Sequence, residues 1–181
     1  LVSDAGTPLI SDPGYRLVRH VQDSGFAVRP VPGACAAIAA LSVSGVPTDR
    51  FLFEGFLPAR EGARLNRLNA LASEPVTLIF YEAPHRIEAS LQSMIKAFGE
   101  TREAVLAREI TKLFETIKRG SLAELSQFVS DDSNQQRGEI VVIVAGKPKG
   151  EQELDADVAA LLLRLSQELP AKRAAAVVAD C

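Results

Sequence analysis

Two segments of this sequence are apolar at almost every position, namely "VTLIFYE" (76–82) and "EIVVIVAG" (139–146). Both have the length of a single β-strand and contain several β-branched residues. Neighbouring side chains of a strand point to opposite faces of its sheet, so a strand without polar alternation is buried on both faces. The sequence therefore predicts two strands in the interior of the protein.

The first 48 residues alternate strand, loop and helix patterns, which predicts a parallel α/β layer. Asp12 and Pro13 favour a helix start, because Asp accepts amide hydrogen bonds and Pro fits the first helical turn. The predicted elements are the end of a strand at 1–3, a helix from Asp12 to Gly25, a strand at 26–32 and a small-residue helix at 32–45 closed by Gly45.

Residues 49–148 mix strand and helix patterns in a different order, which predicts a second domain of the α+β type with a mixed sheet. Its predicted strands are 50–57, 76–82, 103–109, 114–120 and 139–146. Three helices are predicted: one that ends near Ser73, one at 85–98 and one at 121–130. The fold class is therefore α/β, with a partial parallel-sheet domain at 1–48 and a mixed-sheet domain at 49–148. Residues 149–181 are predicted to form a linker and a helical extension.

Composition narrows the functional classes. Hydrophobic residues form 47% and charged residues 24% of the 181 residues, which is typical of a water-soluble globular protein without a membrane span. Cys35 and Cys181 are too few for a disulfide framework and have no partners at metal spacing, which indicates a cytoplasmic protein without a metal. The net charge of −3 excludes a globally basic nucleic-acid binder but leaves local basic clusters near Arg60 and Arg108.

Glycine and proline crowd two loops that each follow a predicted strand, at 3–14 and at the start of 31–50. In open α/β sheets, ligands bind beyond the carboxyl ends of the parallel strands. The two loops would share one sheet edge and could hold a flat, adenosine-like ligand through backbone contacts, with Gly6 allowing close approach. Dinucleotide and triphosphate fingerprints are absent. A tight turn and close helix–sheet packing explain the same residues, and the pattern leaves both explanations open.

Titratable residues lie at the ends of two of the apolar strands. They are Glu82, His85 and Arg86 in "FYEAPHRI" (80–87), and Arg108, Glu109, Lys112 and Glu115 in "AREITKLFE" (107–115). Charged clusters at the ends of buried strands are often functional sites. Mutual salt bridges between glutamate and arginine explain them equally well.

Six motifs occur in a fixed order: "SDAGTPLISDPG", "PGACAAIAALSVSGVPTDRF", "EGFLP", "LIFYEAPHR", "AREITKLFET" and "GEIVVIVAG". Together they resemble the ribosomal RNA small-subunit methyltransferase I family, within the tetrapyrrole-methylase superfamily, over essentially the whole chain. The resemblance implies a two-domain, homodimeric enzyme that binds S-adenosylmethionine between its domains. The implied reaction is 2′-O-methylation of a cytidine ribose in small-subunit ribosomal RNA. The family's opening Pro-rich loop has no counterpart here, so we expect a chain truncated at its N-terminus and also at its C-terminus.

The resemblance also implies site residues. The cofactor contacts carried over from the motifs are Ala5, Gly6, Thr7, Ile10, Cys35, Ala36, Tyr81, Glu82, Ala107, Glu139 and Ile140. As hypotheses for the methyl transfer, the proton acceptors are Glu82, His85 and Glu109, and the RNA contacts are Arg60, Arg86, Arg108 and Lys112.

Two other functions are compatible with parts of the sequence. A tetrapyrrole C-methyltransferase of the same superfamily would show a "GDPxxFGRG" form of the first loop, where this chain has "AGTPLISDPG". A non-catalytic RNA-binding or dimerisation fragment is the alternative from another class.

Overall fold

The computed structural model describes residues 1–3, 6–148, 164–166, 173 and 177. Contacts within the chain divide it into two units, Leu1–Lys147 and Pro148–Cys181. In the second unit the described residues 164–166, 173 and 177 are helical. The rest of the predicted linker and helical extension, with Cys181, lies outside the described residues. The predicted division of the first unit at residue 48 stays a prediction.

A five-stranded mixed sheet forms the centre of the first unit. Its strands are β1 (Phe51–Phe56), β2 (Thr77–Glu82), β3 (Glu103–Arg108), β4 (Thr116–Ser121) and β5 (Ile140–Val144), in the spatial order β1-β2-β5-β3-β4. Strands β1 and β2 are parallel, and the other neighbours are antiparallel. The register places Tyr81 of β2 between Phe56 of β1 and Val141 of β5. Val141 is in turn paired with Ala107 of β3.

Helices cover both faces of this sheet. Those that pack on it are α2 (Ala36–Ser44), α3 (Glu61–Leu71), α4 (Ile87–Phe98) and α5 (Leu122–Asp131), whereas α1 (Tyr15–Asp23) has no buried residue. Leu78 and Phe80 of β2 pack with α3, α4 and α5, whereas Ile79 packs with the small residues of α2. All residues of β5 are buried, and so are all residues of β2 except Tyr81. The predicted burial of these two strands on both faces is therefore confirmed.

The prediction for the first 48 residues was wrong in three places. Residues 1–3 and 26–32 are not strands, and the partial parallel sheet is absent from the described part of 1–48. A strand needs a neighbour for its backbone hydrogen bonds, and the sheet includes neither segment. The side chains of Phe26 and Val31 are consequently exposed. The helix start was also wrong, because α1 begins at Tyr15 with Gly14 (φ 139°) before it, and no side chain caps it.

Elsewhere the predicted elements are confirmed with shifts of up to four residues, the largest at the start of α2. Gly45 ends α2 in the left-handed conformation, with φ 70°. The predicted helix 85–98 begins as a 3-10 turn, Pro84–Arg86, before α4. The predicted loop 131–138 contains a second 3-10 turn, Ser133–Gln136. Among the described residues, no helix is long and apolar enough to cross a membrane.

Two arginines of the predicted basic cluster at 60–67 have structural roles. Arg64 is 4% exposed and donates hydrogen bonds from Nε to Ser93 Oγ (2.9 Å) and from Nη1 to the Ala59 carbonyl (3.1 Å). Arg67 donates to both carboxylate oxygens of Glu54, at 2.7 and 2.8 Å. Arg64 thereby joins α3 to α4. Arg60, the third arginine at 60–67, is exposed and forms no side-chain hydrogen bond with the described residues.

Gly146 lies directly against the backbone of the segment that leads into β2, and this contact supplies a stability prediction. A Cβ at residue 146 would overlap the carbonyl group of Pro75. Backbone cannot move aside as a side chain can, so we expect Gly146→Ala to lower the free energy of unfolding by about 1–3 kcal/mol. Urea denaturation measures the change.

Gly62→Ala is the matched control for this prediction. Gly62 lies in α3, and a Cβ there meets nothing within 4 Å. Alanine is the better helix former, so Gly62→Ala should leave stability unchanged or raise it by about 0.5–1 kcal/mol. Equal stabilities for the two variants would contradict the proposed backbone contact.

Candidate functional site

A cavity of about 420 Å³ lies at the carboxyl ends of β1 and β2. Four parts of the chain line it: the first loop, the start of α2, the ends of the two parallel strands with the turn after β2, and the segment that enters β5. The lining residues are Gly6, Thr7, Ile10, Ser11, Asp12, Ala36, Phe56, Tyr81, Glu82, Ala83, Pro84, Gly138, Glu139, Ile140 and Val141. Segments far apart in sequence thus meet around one space.

The first loop has an unusual backbone. Leu9 and Ser11 have φ values of 73° and 54°, which non-glycine residues rarely adopt. The loop is held by a hydrogen bond from Thr7 Oγ1 to the Ala34 carbonyl (2.9 Å). It also packs on a β-bulge at Gly55, where a Cβ would come within 2.9 Å of Ser11 Oγ. Strained backbone of this kind is concentrated at binding sites, where the surrounding structure holds it in place.

Tyr81 connects the sheet to α2. Its hydroxyl accepts a hydrogen bond from the Ala37 amide (3.1 Å) and lies 4.0 Å from Cys35 Sγ. Its ring makes edge contacts with Phe53 and Phe56, with ring centroids 5.0 and 5.7 Å away. Burial raises the pKa of the Tyr81 hydroxyl, so the group stays protonated at neutral pH. Tyr81 therefore fixes the start of α2 against the cavity wall.

The Glu82 carboxylate is 2% exposed and fully engaged by its neighbours. It accepts hydrogen bonds from the Ala83 amide (2.8 Å) and from Ser90 Oγ, and it forms an ion pair with Arg86 at 3.2 Å. Arg86 also donates to the Leu57 carbonyl just after β1. These bonds hold the carboxyl ends of β1 and β2 together. Glu82 thus shapes the turn that lines the cavity.

Lys112 joins two carboxylates beside the cavity. Its ammonium lies 2.8 Å from Glu109 Oε1 and 3.1 Å from Glu139 Oε2. Glu109 Oε1 also accepts the Glu139 amide (2.8 Å), and Gly138, with φ 79°, packs so closely that a Cβ there would overlap the Glu109 carboxylate. The hydrogen bond from Lys112, helped by the Glu139 amide, holds the pKa of Glu109 below its usual value. The hydrogen bonds that Lys112 donates to the Glu109 and Glu139 carboxylates raise the pKa of Lys112.

The predicted cofactor residues are largely brought together. Gly6, Thr7, Ile10, Ala36, Tyr81, Glu82, Glu139 and Ile140 line the cavity. Cys35 and Ala107 do not: Cys35 precedes α2 beside Tyr81, and Ala107 is buried in β3 under α2. Ala5 lies outside the described residues. The functional role of the whole set stays a prediction.

The predicted catalytic and RNA-contacting residues are more dispersed. His85 and Arg60 are exposed in the segments after β2 and β1. Arg108 is 7% exposed, and its guanidinium donates inward to Gln135 Oε1 (3.1 Å) and the Phe114 carbonyl (3.0 Å). Because these bonds occupy the guanidinium, Arg108 is poorly placed to meet a phosphate.

Sequence reasoning missed seven lining residues: Ser11, Asp12, Phe56, Ala83, Pro84, Gly138 and Val141. Six of them adjoin a residue that the motifs had singled out, or lie one residue farther along the chain. Phe56 is different, since it lies within the motif "EGFLP" but was not selected. The feature that could have identified Phe56 is its aromatic side chain at the end of β1, the strand parallel to β2.

The profile of the family described as Tetrapyrrole (Corrin/Porphyrin) Methylases matches residues 1–126. The chain is 59% identical to a ribosomal RNA small subunit methyltransferase I of Pseudomonas aeruginosa and 52% identical to one of Escherichia coli O157:H7, over 99% of its length. It spans 64% and 63% of those proteins, which is less than two thirds. A relative of the same name from Xylella fastidiosa is 52% identical, and the chain spans 69% of it.

A solved structure has the same fold at low sequence identity. Uroporphyrin-III C-methyl transferase from Thermus thermophilus, complexed with S-adenyl homocysteine, superposes with a TM-score of 0.52 at 22% identity. The match covers 77% of this chain and 62% of that one. The profile match and the close relatives show that the chain belongs to the tetrapyrrole methylase family and, within it, to the ribosomal RNA small subunit methyltransferase I group.

Proposed function

We propose that this protein uses S-adenosylmethionine to methylate the ribose 2′-oxygen of a cytidine in small-subunit ribosomal RNA. The observation that carries the proposal is the cavity, where segments of five family motifs converge. The names of the close relatives support ribosomal RNA over a tetrapyrrole as the substrate. A ribosomal substrate implies a cytoplasmic enzyme, and family resemblance implies a homodimer.

The residues of the cavity fit this cofactor. A volume of about 420 Å³ lies within the usual range of about 300–1,000 Å³ for small-molecule sites. Gly6 and Ala36 expose backbone to a ligand, and Ile140 and Val141 supply an apolar wall. The Asp12 carboxylate is exposed at the cavity and suits the positive charge of a sulfonium. When bound, S-adenosylmethionine supplies an electrophilic methyl group to an attacking oxygen.

The hydroxyl group must lose its proton as its oxygen is methylated. Of the three candidate acceptors, Glu82 is buried with its oxygens engaged, and Glu109 has a lowered pKa and two hydrogen-bond donors. His85 is exposed directly after Pro84, which lines the cavity. We therefore assign proton acceptance to His85, and we assign positioning to Glu82 and Glu109.

Phosphate contacts require exposed cations. Arg60 is exposed after β1, and the Lys112 ammonium is half-exposed beside the cavity. Arg86 is mostly buried in its ion pair with Glu82. We therefore assign RNA contact to Arg60 and Lys112 before Arg86, and we assign Arg108 to the interior.

The proposed function is tested by transfer of a labelled methyl group from S-adenosylmethionine to unmodified small ribosomal subunits, with the 2′-O position mapped on the RNA. Ala36→Leu adds three carbon atoms to the cavity wall and should weaken cofactor binding about tenfold or more in isothermal titration. Ala63→Leu, on the exposed side of α3 away from the cavity, is the control and should bind normally. Equal binding by both variants would place the cofactor elsewhere.

Removal of the proposed proton acceptor should slow the chemical step. We expect His85→Ala to lower the single-turnover methylation rate by about 10²- to 10⁴-fold, since general bases contribute factors of that size. Glu109→Gln should retain more activity than His85→Ala. His20→Ala, at an exposed position in α1, is the matched control. A His85→Ala rate equal to that of His20→Ala would exclude His85 as the base.

The pKa of Glu109 provides a prediction independent of activity. Its titration midpoint, followed by NMR of the carboxyl carbon, should lie below about 4.3, the ordinary value for glutamate, and should rise in Lys112→Met. Because the folded-state pKa is lowered, the stabilisation is present above the unfolded-state pKa and is lost as pH falls through the folded-state value. Lys96→Met is the control, since Lys96 pairs with Glu61 instead. A Glu109 midpoint that does not change in Lys112→Met would refute the assigned cause.

A further inference from the structure

We infer that the ring of Phe56 is the stacking surface for the base of the nucleotide that is methylated. This inference rests on the proposed RNA substrate. Phe56 is the last residue of β1, and its side chain is 54% exposed although it lines the cavity. The only other aromatic residue among the described cavity residues is Tyr81, whose hydroxyl is engaged by α2.

The Phe56 ring is supported on one side by a rigid neighbour. It meets the Tyr81 ring edge-on, with centroids 5.7 Å apart and planes inclined by 63°. Tyr81 is itself fixed by the Phe53 ring and by the Ala37 amide. An aromatic side chain held in this way loses little conformational entropy when a flat ligand stacks on its exposed surface. Proteins that bind single-stranded RNA use aromatic side chains in this manner.

The charges around Phe56 suit a nucleotide. Since β1 and β2 are parallel, their carboxyl ends lie at the same sheet edge, and the segment that follows β1 carries the exposed cation Arg60. Arg86 ties these two strand ends together through Leu57 and Glu82. An exposed ring followed by an exposed cation can hold a base by stacking and a phosphate by charge.

The position of Phe56 also separates this role from cofactor binding. β1 is the edge strand of the sheet, whereas Tyr81, Ile140 and Val141 of the cavity wall lie on the interior strands β2 and β5. The exposed ring therefore lies on the edge-strand side of the cavity. Other exposed aromatic residues, such as Phe51 (42%) and Phe114 (68%), are absent from the cavity lining.

The test compares Phe56→Ala with Phe51→Ala, which removes another exposed ring from the same strand. The loss of one base–aromatic stack should weaken binding of unmodified small ribosomal subunits by about 5- to 150-fold in Phe56→Ala. Binding of S-adenosylmethionine should stay within about twofold of the parent protein. Phe51→Ala should resemble the parent in both measurements.

Phe56→Trp gives a direct readout, because the 181 residues contain no tryptophan. A short single-stranded RNA with one cytidine should quench the fluorescence of Phe56→Trp, and the same RNA with an abasic site in place of that cytidine should not. The parent protein measured in parallel supplies the background.

The outcomes separate this inference from the proposed function. Equal quenching by the two RNAs, equal RNA affinities of Phe56→Ala and Phe51→Ala, or a loss confined to S-adenosylmethionine binding would each overturn the stacking role. If Phe56→Ala does not fold, the Phe56→Trp measurement decides. Absence of methyl transfer by the parent protein would refute the proposed reaction, while base-dependent quenching would still support stacking at Phe56.

Discussion

The double-sided burial of β2 is the constraint on which the rest of the structure depends. This strand pairs with β1 on one side and β5 on the other, packs against α3 and α4 below and contacts α2 above. An interior strand leaves no free backbone hydrogen-bonding groups along its length, so its end is a fixed point in the molecule. The cavity is built at that end, where Tyr81 and Glu82 hold the loops around it.

The polar groups beside the cavity act largely on one another. Glu82, Arg86 and Ser90 form one hydrogen-bonded set, and Glu109, Lys112 and Glu139 form another. A buried charge is tolerated only when it is paired and hydrogen-bonded, which explains why the Glu82 carboxylate has three partners. The functional consequence is rigidity: the sets fix the turns whose backbone lines the cavity.

The sequence supported accurate prediction where hydrophobic periodicity determines structure. The helices of 49–148 and the interior strands β2, β3 and β5 follow from that periodicity, because each contributes buried apolar residues to the core. The prediction failed at 26–32, a segment of strand-like composition that is not part of the sheet. Composition alone also could not tell Arg108 from Arg60. Arg108 is the last residue of β3 and Arg60 lies just after β1, yet Arg108 donates inward to Gln135 while Arg60 extends into solvent.

The candidate site was partly predictable for a related reason. Gly6, Ala36 and Ile140 belong to motifs for which the sequence predicts ligand contact, and all three line the cavity. The sequence did not identify Phe56 as a cavity residue, because its position depends on the register that pairs it with Tyr81. Tyr81 touches Phe56 with its ring edge and Ala37 with its hydroxyl. Two ligands bound on opposite sides of Tyr81 would both contact this residue. A shift of Tyr81 caused by one ligand would then change the affinity for the other, and each ligand would change the affinity of the other by the same factor.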